Sequence, residues 1–553
     1  MLELPIRTDR TQREGTRTLL RDGVLLLVLL VPSLVIYHRS LSGDAFIYLT
    51  YIRNFFTLPF SFQPGTVTFG ATSPLHLLVH APVALLCGAG WIAWSRILNG
   101  LLVVAGALAL RRTLGGSVPT LVLVAALVAL DGALLATAAQ LFETGVMFLL
   151  VSVLLLLARR GRSEAAAATA GLLYLVRPEL VLSTVALDAV LVWRAGREGS
   201  ATRRGRVVMA AAAGLAPAAI YHLYMLAMTG RLVPTSVEAR AISALEGGRS
   251  WYVGLRSSLA AFEGPDRLLY LLGAAGIAIA LARRRRAGED SGLPIGLALA
   301  LPVALLYLAV PPGSQAPRYL LPVTPVLVVA AASVIREAGA RLASLTAGTW
   351  AALRFRPVVA GGLAAFVALA LVDARAWPRV GSPRYDEDTL LLRDLAAQLG
   401  PMIAPGDRVL IYEVQAQYAL PAFCLSADAI VGGQALPALL RREPWEAFLA
   451  RAKVRFVVTM ESFNYRRIYA GTLIERIYLH DRAAHIGDTM EADGLRFRKI
   501  LENPVLAAPG GTGLLRMDGL NALGTIRVYG PANRLWAGHA LLWGAVYEVA
   551  PVR

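Results

Sequence analysis

Between residues 24 and 375 the chain repeats one pattern: runs of about 15 to 20 apolar residues, separated by short polar turns in which arginines collect. Runs of that length match the hydrocarbon layer of a bilayer at the rise of an α-helix, so they predict transmembrane helices. The expected spans are 24–37, 91–110, 118–134, 142–158, 164–177, 179–194, 207–228, 267–282, 292–311, 318–335 and 357–375, about 11 in all. The run 74–88 is short and carries Pro82. As a full crossing it would move residues 111–112 and 159–162 to the face opposite the other arginine clusters. As an embedded or juxtamembrane helix on the outer side it leaves the clusters at 111–112, 159–162, 194–206, 283–286 and 336–356 together on one face. That is the positive-inside distribution. It makes the N-terminus, with five arginines in residues 1–21, cytoplasmic and puts the C-terminus outside the cytoplasmic (inner) membrane. The run 24–37 has the size of a signal-peptide core, but no small-residue cleavage site follows it, so it is expected to be retained.

Beyond residue 380 the pattern changes. Asp386, Glu387 and Asp388 appear, and apolar runs shorten to strand length at 409–412, 456–460 and 526–529, with helical stretches at 387–399 and 436–451. The expected architecture is therefore a polytopic α-helical membrane protein with a C-terminal extracytoplasmic α/β domain. Residues 1–379 form the transmembrane domain with a first outer loop at 38–90, and 380–553 form the soluble domain. Composition agrees: 56% of residues are hydrophobic and 16% charged, with a mean hydropathy of +0.57, which excludes a soluble protein of this size. The net charge of +17 does not indicate a nucleic-acid partner, because the basic residues lie in loops between apolar runs. Cys87 and Cys424 fall in separate regions and give neither a disulfide framework nor a metal signature.

Drawn on this topology, candidate chemistry gathers at the outer ends of helices. Asp44 follows the first span, with Phe46, Tyr48, Tyr51, Phe55 and Phe56 behind it, Arg53 among them, and a loop that returns through Thr72-Ser73-Pro74 to His76. Glu143 begins the fourth span, Arg177-Pro178-Glu179 forms a turn between two apolar runs, and Arg318-Tyr319 opens the tenth span. Residues 234–240 (PTSVEAR) lie in the long outer loop 229–266. This set suits glycosyl transfer from a lipid-phosphate sugar. Asp44 is the candidate base, its pKa raised by partial burial. Arg177 and Arg318 are phosphate candidates, Glu143 is a candidate for sugar hydroxyls, and Tyr48, Phe46 and Phe69 are stacking candidates. Plainer readings stand beside these. Arg177 and Arg318 at helix ends also suit lipid headgroups, Glu143 suits an ion pair with one of them, Arg53 suits a salt bridge, His76 suits a structural role, and aromatics near span ends suit an interface belt.

In order along the chain, GDAFIYLTYIRNF, FQPGTVTFGATSPLHLL, FETGVMFLL, LVRPE, VPTSVEAR and PRYLLPVTP resemble segments of the GT-C class of polyprenyl-phosphate-dependent glycosyltransferases, in its arabinofuranosyltransferase-like and mannosyltransferase-like families. The resemblance implies an inverting transfer from a polyprenyl-phosphate sugar to a glycan, lipid or protein acceptor at the outer face, with Asp44 as general base. Beside it, the reading of the residues gives a candidate substrate shell of Tyr48, Arg53, Thr72, Ser73, His76, Glu143, Arg177, Glu179, Arg240, Arg318 and Tyr319. The chain departs from it in places: the family's acidic pair is Gly43-Asp44, the aromatic after T-S-P-L is His76, and the loop lysine is Arg240. One carboxylate is thus missing, and no metal or other cofactor is expected beyond the donor, with a divalent cation the open alternative. Two other classes remain: a transporter or flippase of a lipid-linked sugar, which calls for mid-span polar residues and broken helices, and a non-catalytic envelope assembly protein. A polymerase using a diphosphate-linked donor is the closest enzymatic alternative.

Overall fold

The computed structural model describes residues 20–27, 30, 43–63, 65–115, 118–197, 201–235, 251–261, 265–287, 293–310 and 316–345, then 395–411, 418, 420, 423–426, 434–439, 441–460, 471–481, 484–502, 527–529, 535–537 and 543–552. Among these the chain runs through α1 (Gly43–Asn54), β1 (Ser61–Gln63), β2 (Thr66–Val67), α2 (Pro74–Cys87), α3 (Trp91–Leu114), α4 (Val118–Ala129), α5 (Gly132–Ala139), α6 (Thr144–Arg159), α7 (Ser163–Gly171), α8 (Leu173–Val176), α9 (Val181–Arg197), α10 (Ala201–Thr229), α11 (Trp251–Ala261), α12 (Pro265–Ala287), α13 (Leu293–Ala309), α14 (Ala316–Tyr319) and α15 (Thr324–Leu345). There follow β3 (Arg408–Ile411), β4 (Phe423–Ser426), α16 (Leu436–Leu439), α17 (Trp445–Arg451), β5 (Val454–Met460), α18 (Leu473–Asp481), β6 (Thr489–Ala492), β7 (Leu495–Glu502), β8 (Arg527–Tyr529), β9 (Leu535–Ala537) and β10 (Trp543–Pro551). The chain divides into two compact units. One comprises Met1–Ser40, Ala89–Ala219 and Gly254–Gly381; the other comprises Leu41–Gly88, Ile220–Val253 and Ser382–Arg553.

The first unit is a helical bundle in which α3 packs on α6, α9 on α13 and α12 on α15. Small residues bring the helices close, as packing between membrane helices requires. A Cβ on Gly145 would lie 2.2 Å from Asn99 Oδ1 and 2.6 Å from the Asn99 carbonyl oxygen, so α6 meets α3 there only because residue 145 has no side chain. Gly171 and Gly214 pair α7 with α10 in the same way. Gly145→Ala is expected to cost about 1–3 kcal/mol by overpacking, read as a lower unfolding midpoint in detergent. A midpoint equal to wild type would show that α3 and α6 have slack at this point.

Polar contacts lie at the two ends of these helices. Arg111 near the end of α3 pairs with the buried Asp22 at 2.6 Å, and Arg336 of α15 donates to the Leu114 carbonyl. Arg203 donates to the Gly161 carbonyl, and Arg206 pairs with Glu164. Thus Asp22, just before the N-terminal run, and residue 336 meet the 111–114 region, and the 161–164 region meets 203–206. At the other end of the same helices, Asp131 Oδ2 accepts from Thr324 Oγ1 at 2.6 Å, twelve residues before Arg336 on α15. Twelve residues of helix are about 18 Å.

Three stretches are long and apolar enough to cross a membrane: Pro74–Leu114, Ala201–Thr229 and Leu321–Gly339. A bent pair, Pro119–Ala129 with Gly132–Ala139, makes up to 4 among the described residues. That is fewer than the spans expected from hydropathy. Thr144–Arg159, Ser163–Val176, Arg267–Ala282 and Pro294–Ala309 are apolar but shorter. The runs 24–37, past residue 27 except Leu30, and 357–375 lie outside the described residues. The 41 residues of Pro74–Leu114 would measure about 60 Å as helix, roughly twice a hydrocarbon layer, so a single crossing does not need them all. Two expected spans are interrupted. The run 118–134 breaks at Leu130-Asp131 with a 75° bend, where the Asp131 carboxylate caps α5 by accepting from the Leu134 N–H at 2.8 Å. The run 318–335 starts as the single turn α14 and a 3₁₀ turn Leu321–Val323, because Pro322 and Pro325 lack the N–H groups a continuous helix needs. The long helix begins at Thr324.

In the second unit the strands expected at 409–412, 456–460 and 526–529 appear as β3, β5 and β8. Six strands form a mixed sheet in the order β4-β3-β5-β10-β7-β6, with β3 parallel to β4 and β5, and β10 antiparallel to both β5 and β7. Leu410, Phe456, Val458, Phe497 and Tyr547 of the sheet pack with Phe448 of α17 and Ile477 of α18 in a buried core. Lys499 is buried in this sheet with Asp481 at 3.0 Å and Glu502 at 3.2 Å, the pairing that a desolvated ammonium requires. Of the helical stretches expected here, 395–399 and most of 436–451 are helical; 387–394 lie outside the described residues.

Candidate functional site

Two groups of side chains carry the candidate chemistry, one in each unit. In the first unit, the chain before α6 delivers Glu143, the break between α8 and α9 delivers Arg177 and Glu179, α13 delivers Tyr307, and α14 delivers Arg318 and Tyr319. Arg177 stands where the helix stops because Pro178 forces its predecessor out of the helical region; its backbone is extended at φ −153°, ψ 125°. Glu143 follows Leu141, a buried residue in the left-handed region at φ 63°, which turns the chain from α5 into α6. The Arg177 guanidinium reaches Glu179 Oε1 through Nε at 2.7 Å and Nη2 at 2.6 Å, and Glu143 Oε1 through Nη1 at 3.4 Å. Tyr307 donates to the same Glu179 oxygen at 2.6 Å. The guanidinium lies over the Tyr319 ring at 4.6 Å, and Tyr319 packs against Tyr307. Arg318 lies over Phe142 at 4.0 Å with Nη2 3.8 Å from Glu143 Oε2.

Glu143, Arg177, Glu179, Arg318 and Tyr319 therefore meet in one cluster of two guanidiniums and two carboxylates. Arg177 is enclosed by it, its side chain 6% exposed, whereas Arg318 is 15% exposed and the farther of the two from a carboxylate. The ion-pair reading of Glu143 describes its geometry: it bridges the two arginines. Sequence reasoning missed Tyr307, which sits inside an apolar run, and Asp131, which hydropathy absorbs into a span. The Asp-Gly pair at 131–132 is a helix-start signal that marks the latter.

In the second unit, α1 carries Asp44 in its first turn; the Asp44 side chain lies outside what is described. Tyr48, Tyr51 and Asn54 are spaced by three, so they share one face of α1. They tie down the following loop. Tyr48 pairs with the Thr72 hydroxyl at 2.9 Å, Tyr51 with the Thr68 hydroxyl at 2.8 Å, and the Asn54 amide donates to the Ser61 and Phe62 carbonyls at 3.1 and 3.0 Å. Burial pushes the Tyr51 phenol above its ordinary pKa, so it stays protonated. Tyr48 and Thr72 are thus partners of each other, and Ser73 is buried at the start of α2. His76 is fully buried, edge-on to Tyr48 at 4.9 Å and against His80 at 4.3 Å. Phe69 is buried between Tyr221 and His222, and its carbonyl accepts from both the N–H and the hydroxyl of Thr235. Residues 234–235 of PTSVEAR therefore dock on the loop that follows α1; 236–240, with Arg240, lie outside the described residues. Arg53 is exposed and stacks on Tyr418. Among the described residues no three His, Cys, Asp or Glu side chains group as metal ligands.

The crystal structure of ArnT from Cupriavidus metallidurans bound to undecaprenyl phosphate matches this chain with a TM-score of 0.52 and 18% identity, over 80% of this chain and 93% of that one. The chain shares the fold of ArnT. The apo-state crystal structure of ArnT matches at a TM-score of 0.48 and 16% identity over the same shares. No family model matches the chain, and no curated protein matches it. The ArnT likeness is one of fold.

Proposed function

We propose that the protein is an integral membrane glycosyltransferase of GT-C type. It takes a sugar from a polyprenyl-phosphate donor and passes it, with inversion, to a glycan, lipid or protein acceptor at the outer face of the cytoplasmic membrane. The observation that carries this reading is the fold, shared with a protein crystallised with undecaprenyl phosphate; the inference from fold to activity is by analogy. The ordered run of GT-C-like segments in the sequence supports it. So do the pairwise contacts among the arginine-rich ends, which fit a single cytoplasmic layer.

In this reading Asp44 is the general base that takes the acceptor proton. No metal is needed in the set. Arg318 contacts the donor phosphate, since it is the more exposed guanidinium of the cluster. Arg177, held by Glu179, Glu143 and Tyr307, sets the shape of that cluster. Tyr48, Thr72, Ser73 and His76 shape the first outer loop, and Arg240 is assigned to the substrate shell from the sequence alone. A flippase of lipid-linked sugar draws on one observation, the broken pair at Leu130-Asp131. The Asp131 carboxylate is closed there by Thr324 and the Leu134 N–H, as a structural cap is.

The test is sugar transfer by membranes carrying the chain, with a panel of radiolabelled polyprenyl-phosphate sugars and a cell-envelope acceptor extract. Wild type is expected to transfer from one donor. Arg318→Ala is expected to raise the KM for that donor about tenfold or more, as loss of a charge-assisted hydrogen bond does. Movement of intact donor across the bilayer without transfer would overturn the enzyme reading in favour of the flippase. An unchanged donor KM in Arg318→Ala would take the phosphate away from Arg318.

A further inference from the structure

Within the second unit, one residue of the C-terminal segment grips the helix that bears Asp44. The Tyr418 ring lies 5.4 Å from the Phe46 ring, and the Arg53 guanidinium sits 4.6 Å from the Tyr418 ring centroid. Arg53 Nη1 also donates to the Tyr418 carbonyl at 3.1 Å. Phe46 and Arg53 are seven residues apart, two helical turns, so Tyr418 spans one face of α1 lengthwise. At 100° per residue this face is roughly opposite the one on which Tyr48, Tyr51 and Asn54 hold the loop. The helix is therefore clasped from two sides: by its own loop, and by a residue that arrives 365 positions later. The strands lie in keeping with this, since β1 of the loop packs beside β4, which follows Tyr418 in the chain.

A helix fixed on one side alone can still roll about its axis, and a roll swings a side chain in the first turn sideways. Phe46, two residues after Asp44, is one end of the Tyr418 grip. We infer that Tyr418 is a positioning residue, which fixes the roll of α1, the helix that bears Asp44. The inference rests on the role proposed for Asp44. Its physical content, that Tyr418 immobilises α1, does not.

The experiment compares the full-length wild type, Tyr418→Phe and Tyr418→Ala in detergent, by amide hydrogen exchange over residues 45–54 and by kcat and donor KM. Tyr418→Ala is expected to speed α1 exchange at least tenfold. It should lower kcat by roughly a hundredfold, as misplacement of a reacting group does, with donor KM within twofold of wild type. Tyr418→Phe keeps the ring under Arg53, the contact with Phe46 and the carbonyl, and is expected to match wild type in both. Unchanged α1 exchange in Tyr418→Ala, an equal loss in both variants, or a loss confined to KM would overturn the inference. If Tyr418→Ala also loosens β3, β5, β7 and β10, Arg53→Ala removes the stacking from the other partner and must reproduce the α1 exchange for the inference to stand. Absence of transfer by wild type with every donor would count against the glycosyltransferase reading, while the exchange data would still decide whether Tyr418 holds α1.

Discussion

Asp44→Asn is expected to lower sugar transfer by a factor on the order of 10² to 10⁴, the range that a positioned general base contributes, while leaving donor KM and expression near wild type. Asparagine matches the carboxylate in size, so the change removes proton acceptance and little else. Asp44 stands in the first turn of α1, where the partial positive charge of a helix N-terminus favours an anion. Transfer by Asp44→Asn equal to wild type, at matched expression in the same membranes, would remove Asp44 from the chemistry. A loss seen only as a raised donor KM would recast Asp44 as a binding group.

The second large effect concerns stability. Arg177→Ala leaves Glu179 and Glu143, with side chains 15% and 4% exposed, without the cation that both face. Breaking one side of a buried ion pair costs about 3–5 kcal/mol, because the remaining charge stays desolvated. The expected result is a sharp fall in the unfolding midpoint in detergent and in the yield of folded protein. Arg177→Lys keeps the charge but loses the fork on Glu179 and the stacking on Tyr319, and should fall between. The pair Arg177→Met with Glu179→Met should recover part of the loss, since it removes the stranded charge as well. Strict additivity of the two single changes would mean that the 2.6 Å contact carries no coupling energy.

How far the sequence reveals this molecule depends on whether a feature is written in composition or in a few contacts. Strands β3, β5 and β8 were legible because apolar runs of strand length stand out against a polar background. The arginine pattern led to the expectation that Glu143, Arg177, Glu179, Arg318 and Tyr319 lie at like ends of their helices, together with the Asp44 stretch; that the five meet is seen only in the geometry. The break at Asp131 was not, since one acid inside an apolar window barely changes its mean, although an N-cap followed by glycine starts a new helix. The pairing of Tyr48 with Thr72 was also hidden. Both are polar residues beside a candidate acid, and only geometry distinguishes a hydroxyl facing substrate from one tied to its own loop. Tyr307 and Tyr418 act through partners 128 and 365 residues away, a separation at which no local pattern speaks.

The second compact unit is assembled from three separate stretches of the chain, and this has a consequence for its biosynthesis. Strand β10, which lies between β5 and β7, is completed only when residue 551 has been made. Helix α1 emerges early, but Tyr418 follows its partner Arg53 by 365 residues. At translation rates of about 5–20 residues per second that is a wait of roughly 20–70 s. During this interval the nascent chain already carries Asp44 on a helix whose second clasp does not yet exist. A ribosome stalled before residue 418 should thus yield a membrane-inserted chain whose outer loop is open to protease at Arg53, and the finished protein should resist cleavage there.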